Sequence, residues 1–337
     1  MNTIPSRIIR QIIILLGLGI VGFLIFYELL PYLSGVLGAI TLYVLLKGPM
    51  AKLKTKRWNK ALAASFLMFL SFIGILIPIF GITLMLSNKI ENAVHNSGRF
   101  LTALQNYILK FENAIGYDFY QDLDVSGGTS WVGENARVLI GSTFELFIAI
   151  SIMYFLLYFM LTKPKKLRKS IYKFAPFSKN YLKIIINESN KMIRSNALGI
   201  PIVAVVQGIV ALVGFLIFGI ENPFFWFVIV IIGSMIPFVG TLVGILPVFL
   251  IALASGNDFS AFGILIYGLV VVGSTDNIIR LYVLKKMDDV HPLITLIGVI
   301  IGIPLFGFIG LIFGPITLSL FFIILKMYKI EYVDKKI

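Results

Sequence analysis

The stretch Pro223–Ala254, PFFWFVIVIIGSMIPFVGTLVGILPVFLIALA, decides how this chain is built. It is apolar from end to end and longer than the roughly 20 residues that one helical crossing of a bilayer needs. At its centre stands Ile236-Pro237-Phe238-Val239-Gly240. Proline removes a backbone donor and clashes with the preceding turn, and glycine admits dihedrals closed to other residues, so the centre is a helix break. Broken apolar segments are tolerated at membrane depth where they are buried in protein or line a polar cavity. The flanks agree. Lys163–Arg194 and Arg280–Lys286 are strongly basic and belong on the cytoplasmic side. Three apolar segments lie between them, an odd number that would end on the wrong side if all three crossed. The broken one therefore enters and returns, as a hairpin opening outward.

Outward from this hairpin the pattern repeats. Ala197–Phe218 reads as a full span and Phe259–Leu284 as another. Pro292–Met327 is a second over-long segment, interrupted at Ile303-Pro304-Leu305-Phe306-Gly307. The C-terminal half thus reads span, hairpin, span, hairpin. Inverted pairs of this kind are a recurrent logic of secondary transporters. The N-terminal half is simpler. Ile8–Leu30 is a first crossing with Arg7 and Arg10 inside, and Pro31–Leu46 a short return containing Gly35 and Gly38. A loop with six Lys or Arg between Lys47 and Lys60 follows, then a third helix over Ala61–Leu86 with a kink at Pro78. Asn88–Glu134 is polar and slightly acidic, with an amphipathic helix in it, and belongs outside. Val138–Leu161 returns the chain. Four regions follow: helices one to three over 1–87, an extracytoplasmic region over 88–136, helix four with a basic stretch over 137–196, and a core over 197–330 with hairpins at 223–254 and 292–327.

Composition supports the same class. The chain has 337 residues, 58% of them hydrophobic, and a mean hydropathy of +0.96. The fold class is all-α, a polytopic membrane protein. The net charge of +13 sits in loops beside apolar segments, so topology and anionic lipid headgroups account for it without nucleic acid. The Lys163–Arg194 stretch mixes its cations with Ile171, Tyr172, Phe174 and Phe177, which suits a helix lying along the inner interface. No cysteine is present, which excludes disulfides, thiolate catalysis and Cys-based metal sites. Two distant histidines and no Gly-Lys-Ser/Thr loop leave no enzyme signature, no metal site, no cofactor and no ATP-driven pump. Ile8–Leu30 is too long for a signal peptide core and has no cleavage site, so it reads as retained.

Candidate site residues gather in the core. Pro237, Gly240 and Gly244, with Gly233 and Pro247, belong to the first hairpin, where freed backbone groups could meet a polar ligand or ion. Pro304, Gly307 and Gly310 occupy the matching place in the second, whose tip is expected to face the first. Asp276, Asn277 and Arg280 lie within a membrane segment, where ionisable residues are costly and are functional candidates by default. Asp276 and Arg280 stand four apart and can pair on one helix face. Gln207 lies inside its apolar span and lines a pathway or bonds to a neighbouring helix. Glu145, Glu28, Asn196 and His291 are better explained by structure.

Several of these stretches together resemble one family. They are Gly233-Ser-Met-Ile-Pro-Phe-Val-Gly240 with Gly244 and Pro247, Asp276-Asn-Ile-Ile-Arg280, His291-Pro-Leu293, and Phe306-Gly-Phe-Ile-Gly-Leu-Ile-Phe-Gly-Pro315. Their order and spacing are similar to the autoinducer-2 exporter family of bacterial and archaeal membrane proteins. One departure is Leu281, where many members have proline after the Asp-Asn-x-x-Arg run. The resemblance implies a secondary transporter with eight membrane segments, a homo-pentamer, and an elevator-like movement of the hairpin region. It implies a small polar substrate, autoinducer-2 in some members and sodium/proton exchange in others. The expected function is export of a small polar organic molecule, with cation/proton antiport, using a coupling proton or sodium, as the alternative. A membrane scaffold without transport is the remaining reading. The expected location is the cell (inner) membrane, with both termini cytoplasmic.

Overall fold

The computed structural model describes residues 6–78, 80–81, 143–175, 177–236, 240–275, 278–279 and 292–330. Every regular element among these is helical. In order they are α1 (Ser6–Leu29), α2 (Leu33–Thr55), α3 (Lys60–Pro78), α4 (Thr143–Thr162), α5 (Pro164–Phe174), α6 (Lys179–Ile217), α7 (Pro223–Ser234), α8 (Gly240–Ala254), α9 (Asp258–Tyr267), α10 (Pro292–Phe306) and α11 (Gly310–Tyr328). Among the described residues, five helical stretches are long and apolar enough to cross a membrane, with α1 and α2 counted as one stretch, and six with the bent pair α4–α5. That count does not reach the eight segments the resemblance implies.

The helix ends follow local chemistry. Asn59 caps α3 by accepting a bond from the Ala61 amide at 3.0 Å, and Ser178 caps α6 through the Tyr181 amide. Gly219, at φ +62°, ends α6, and Pro223 opens α7 in the first-turn position that tolerates it. The expected return at Pro31–Leu46 is longer than its apolar residues suggested: α2 runs on through Pro49 to Thr55 and takes Lys52 and Lys54 into its last turn. Nor does α2 pack back along α1, which is exposed from Arg7 onward and offers all its faces to the surroundings. Gly35 and Gly38 pack closely. They seat α4, where a side chain at Gly35 would strike the Ala149 carbonyl and one at Gly38 the Met153 sulfur.

The long helix α6 is the spine. It begins at Lys179, well before the apolar span, so the boundary placed at 196/197 falls within one continuous helix. Its first half meets α11 and α2, where Met192 and Ile193 join Val44, Phe313 and Ile316 in one core. Its second half meets α7 and α9, where Ala211 and Phe215 join Val230, Ile245, Ile264 and Val272 in another. Helices α2, α3 and α4 form a third around Leu67, Leu157 and Leu161.

Both over-long segments fold back on themselves. In the first, a side chain at Gly240 would strike the Gly233 carbonyl, and one at Gly244 would strike Val230. In the second, a side chain at Gly302 would lie 2.5 Å from the Gly310 carbonyl and 2.6 Å from Gly314 Cα, and one at Gly298 would lie 2.5 Å from Pro315. A straight helix would hold Gly298 and Gly314 about 24 Å apart at 1.5 Å per residue. The second turn comes later than Pro304, which lies inside α10. It is made by the 3-10 turn Gly307–Ile309, entered through Gly307 at φ +65°.

Candidate functional site

The candidate site lies where α6, the first hairpin and α9 meet. On one side, Gly208 of α6 lets Ile231 and Phe227 of α7 approach, the latter at 3.2 Å from where a Cβ would stand. On the other, Gly214 receives the Tyr267 ring and Gly263 receives the Phe218 ring. The Tyr267 hydroxyl donates to the Val210 carbonyl at 3.0 Å, tying α9 to the spine. Both neighbours therefore run antiparallel to α6 in fixed register. Carried a turn or two further, that register sets Gln207 level with the last turn of α7 on one side. On the other it sets Gln207 level with Gly273–Thr275.

Gln207 is 1% exposed, and neither its amide nitrogen nor its amide oxygen has a hydrogen-bond partner. Ser234 closes α7 beside the tip, is 2% exposed, and its hydroxyl is likewise unpartnered. A buried polar group left unmade costs about 1–3 kcal/mol. A buried glutamine with both ends free thus asks for a ligand or water. It offers one acceptor and two donors on a neutral group.

The backbone around it is irregular on both sides. α7 ends in a turn held by bonds from Met235 N to Ile232 O at 3.3 Å and Ile236 N to Gly233 O at 2.9 Å. α9 does not continue as an α-helix but widens into a π-helical turn at Gly268–Val272. Gly268 admits Ile245 of α8, which would stand 2.5 Å from a Cβ there. Inserted π turns break the regular ladder and often accompany functional positions. This one is followed within a turn by Thr275, whose hydroxyl donates to the Val271 carbonyl at 2.7 Å. Sequence reasoning missed the π turn and Ser234. The signal for the first was the β-branched run Val270-Val271-Val272 between Gly268 and Gly273.

The other candidates separate into three groups. Gly240 and Gly244 are buried at the crossing of α7 and α8, next to the site. Pro304 and Gly307 are exposed, and Gly310 is buried against Gly302. The second turn packs beside α2, with Phe306 and Ile309 in one cluster with Leu37 and Ile40, while the tip of the first hairpin, which it is expected to face, lies outside the described residues. Pro237, Asp276, Asn277, Arg280 and His291, together with the side chain of Glu145, lie outside the described residues. Asn196, half-buried, donates to the Ile312 carbonyl at 3.2 Å and joins α6 to the second hairpin. Glu28 is exposed on α1.

The family model for AI-2E family transporters matches residues 12–330 of this chain. The chain belongs to the AI-2E transporter family. Relatives named as transport proteins include one of Mycobacterium tuberculosis, 24% identical over 84% of this chain and 79% of its own length. Another, of Aquifex aeolicus, is 24% identical over 82% and 84%. A third, of Buchnera aphidicola, is 27% identical over 94% and 91%. The resemblance read from the motifs is thereby established. The matched residues include both hairpins and the spine.

Proposed function

We propose that this transporter moves a small, neutral or weakly charged polar molecule, that Gln207 and Ser234 contact it, and that export is the direction of flux. The observation that carries this reading is the Gln207 amide, buried and unpartnered at both atoms on the helix against which the first hairpin packs. Glycines at the hairpin crossing let backbone approach the same place, so a substrate would meet carbonyls and amides with few charges. Gly240 and Gly244, with Pro237, Asp276, Asn277 and Arg280, complete the proposed site. Movement of the hairpin region along α6 as a unit would carry the substrate between the two faces, an elevator-like cycle.

The test is flux in proteoliposomes at equal protein incorporation, across a panel of small polar metabolites. Gln207→Leu fills the same volume without polar atoms. It should cut substrate flux at least tenfold while leaving the fold as stable as wild type or more so. Full flux in folded Gln207→Leu would remove Gln207 from the site. The same vesicles carry the antiport test, because proton movement driven by a sodium gradient and abolished in Asp276→Asn would replace metabolite export with ion exchange.

A further inference from the structure

The short helix α5 has no place in the transport site, and its chemistry is distinct. The chain bends by 99° between α4 and α5. With α4 crossing the membrane, that bend lays α5 along its surface. The helix reads PKKLRKSIYKF and carries Lys165, Lys166, Arg168, Lys169 and Lys173 with no acid. At 100° per residue, Leu167, Ile171 and Phe174 fall on one side, and the five cations fall on the other. The apolar stripe is not sealed by the protein: Ile171 is 39% exposed and Phe174 is 78% exposed. Arg168 sits over the Tyr172 ring at 5.5 Å, and Lys173 over the Phe174 ring at 5.5 Å.

A second basic element stands beside it. Met50 and Leu53 of α2 pack with Leu161 of α4, so the ends of α2 and α4 lie at one level. The α2 end and the turn after it bring Lys52, Lys54, Lys56 and Arg57, again without an acid. From Lys47 to Lys60 and from Lys163 to Asn187 the chain holds no Asp or Glu. Two basic elements far apart in sequence thus converge at one membrane surface, with an exposed aliphatic and aromatic stripe in the same plane.

We propose that α5, with the basic end of α2 beside it, is a binding surface for anionic lipid headgroups. Phe174 and Ile171 insert at the acyl boundary while the lysines hold phosphate. Charge complementarity selects this occupant, because a cationic helix with an apolar underside is what an anionic interface adsorbs. Each Lys or Arg near such a surface strengthens binding roughly fivefold and loses that effect as salt rises.

The cysteine-free chain permits a single reporter. Phe174→Cys and, as the opposite-face control, Lys169→Cys are each spin-labelled and reconstituted in vesicles of phosphatidylcholine alone or with phosphatidylglycerol. Collisions with oxygen and with a water-soluble nickel chelate then report depth. The expected result is a label at 174 that favours oxygen in phosphatidylglycerol vesicles, and a label at 169 that favours nickel. The depth at 174 should decrease in high salt, in phosphatidylcholine alone, and in K165Q/K166Q/K169Q. A label at 174 as open to nickel as that at 169 in anionic vesicles would overturn the proposal. So would a depth indifferent to lipid charge and salt, and so would shielding from both reagents, which would mean that protein covers the stripe.

Discussion

The two hairpins are made of the same residues and are put together differently. The second is crossed by glycine along its length, with Gly298 against Gly314 and Pro315, and Gly302 against Gly310 and Gly314. Its turn packs on α2, and Asn196 fastens it to the spine. The first has a single glycine-to-glycine crossing, at Gly233 and Gly240, and then changes to Gly244 against the Val230 side chain. Its first arm ends in Ser234, whose hydroxyl is buried without a partner, as that of Ser319 is in the second hairpin, and Gln207 on the neighbouring spine is unpartnered at both amide atoms. Glycine in the second hairpin serves backbone contact throughout, while in the first it serves backbone contact at Gly233 and Gly240 and seats the Val230 side chain at Gly244. Composition does not distinguish these uses; what surrounds each crossing does.

The comparison breaks most easily at Gly302. Valine there drives side-chain carbon into main chain on α11, which cannot yield as a flexible side chain would. Overpacking of well-packed sites costs typically 1–3 kcal/mol, and a backbone obstacle places Gly302→Val at about 3 kcal/mol. Thermal unfolding in detergent should show a large drop, with little folded protein recovered. A variant as stable as wild type would show that the second hairpin is loosely crossed, and its contrast with the first would vanish.

Next in size is the opposite behaviour expected in the first hairpin. Ser234→Ala removes a buried hydroxyl that has no partner, so stability should hold or rise by up to about 1 kcal/mol, while flux of the substrate falls severalfold. Asn196→Leu is its counterpart in the second hairpin. It removes a made bond and should lower stability by about 0.6 kcal/mol, the mean for interhelical bonds in membranes, with flux preserved. Exchanged outcomes, flux lost at Asn196 and kept at Ser234, would move the polar site to the other hairpin.

Much of this architecture was legible in the sequence, and the reason is physical. Over-long apolar segments with central glycine and proline, set between basic loops, leave few ways to satisfy both backbone bonding and charge placement. Pro223–Ala254 reads as two arms, and α7 and α8 do pack against each other through Gly233, Gly240 and Gly244. The second turn begins at the last residue of the expected Pro304–Gly307 interval, because glycine and not proline makes the break. Pro304 lies inside α10, exposed, with only the bond to the Ile300 carbonyl lost, and the chain instead turns where Gly307 takes a positive φ. Gln207 was legible as a polar residue in an apolar span, but its isolation was not, because unpartnered atoms are a property of packing. The π turn was marked only by the Val270-Val271-Val272 run between Gly268 and Gly273, and the seating of Ile245 against Gly268 beside it is a property of packing. Helix α2 ran past its apolar residues because lysines in a last turn are compatible with the helix dipole.

Tyr267→Phe gives a smaller effect on the first-hairpin side. It removes the bond to the Val210 carbonyl and keeps the ring seated on Gly214, so the expected loss is about 0.6 kcal/mol. Flux should change in step with any shift of α9 against α6. A loss of several kcal/mol would mean that this bond, more than the cores on either side, fixes the register that places Gln207.

The expected effect on transport is smallest at Gly307, which isolates conformation from packing. A Cβ at this position meets nothing within 4 Å, so only the positive φ opposes a side chain. Left-handed backbone costs an ordinary L-residue roughly 1–2 kcal/mol, and asparagine less because its short polar side chain bonds locally. Gly307→Ala should therefore lower stability by about 1 kcal/mol, and Gly307→Asn by a fraction of that, with flux unchanged in both. The order of the two variants tests the turn, and the flux tests the comparison. If Gly307→Asn folds normally yet transports poorly, the exposed turn of the second hairpin takes part in moving the substrate, and the polar site is shared between both hairpins instead of belonging to the first.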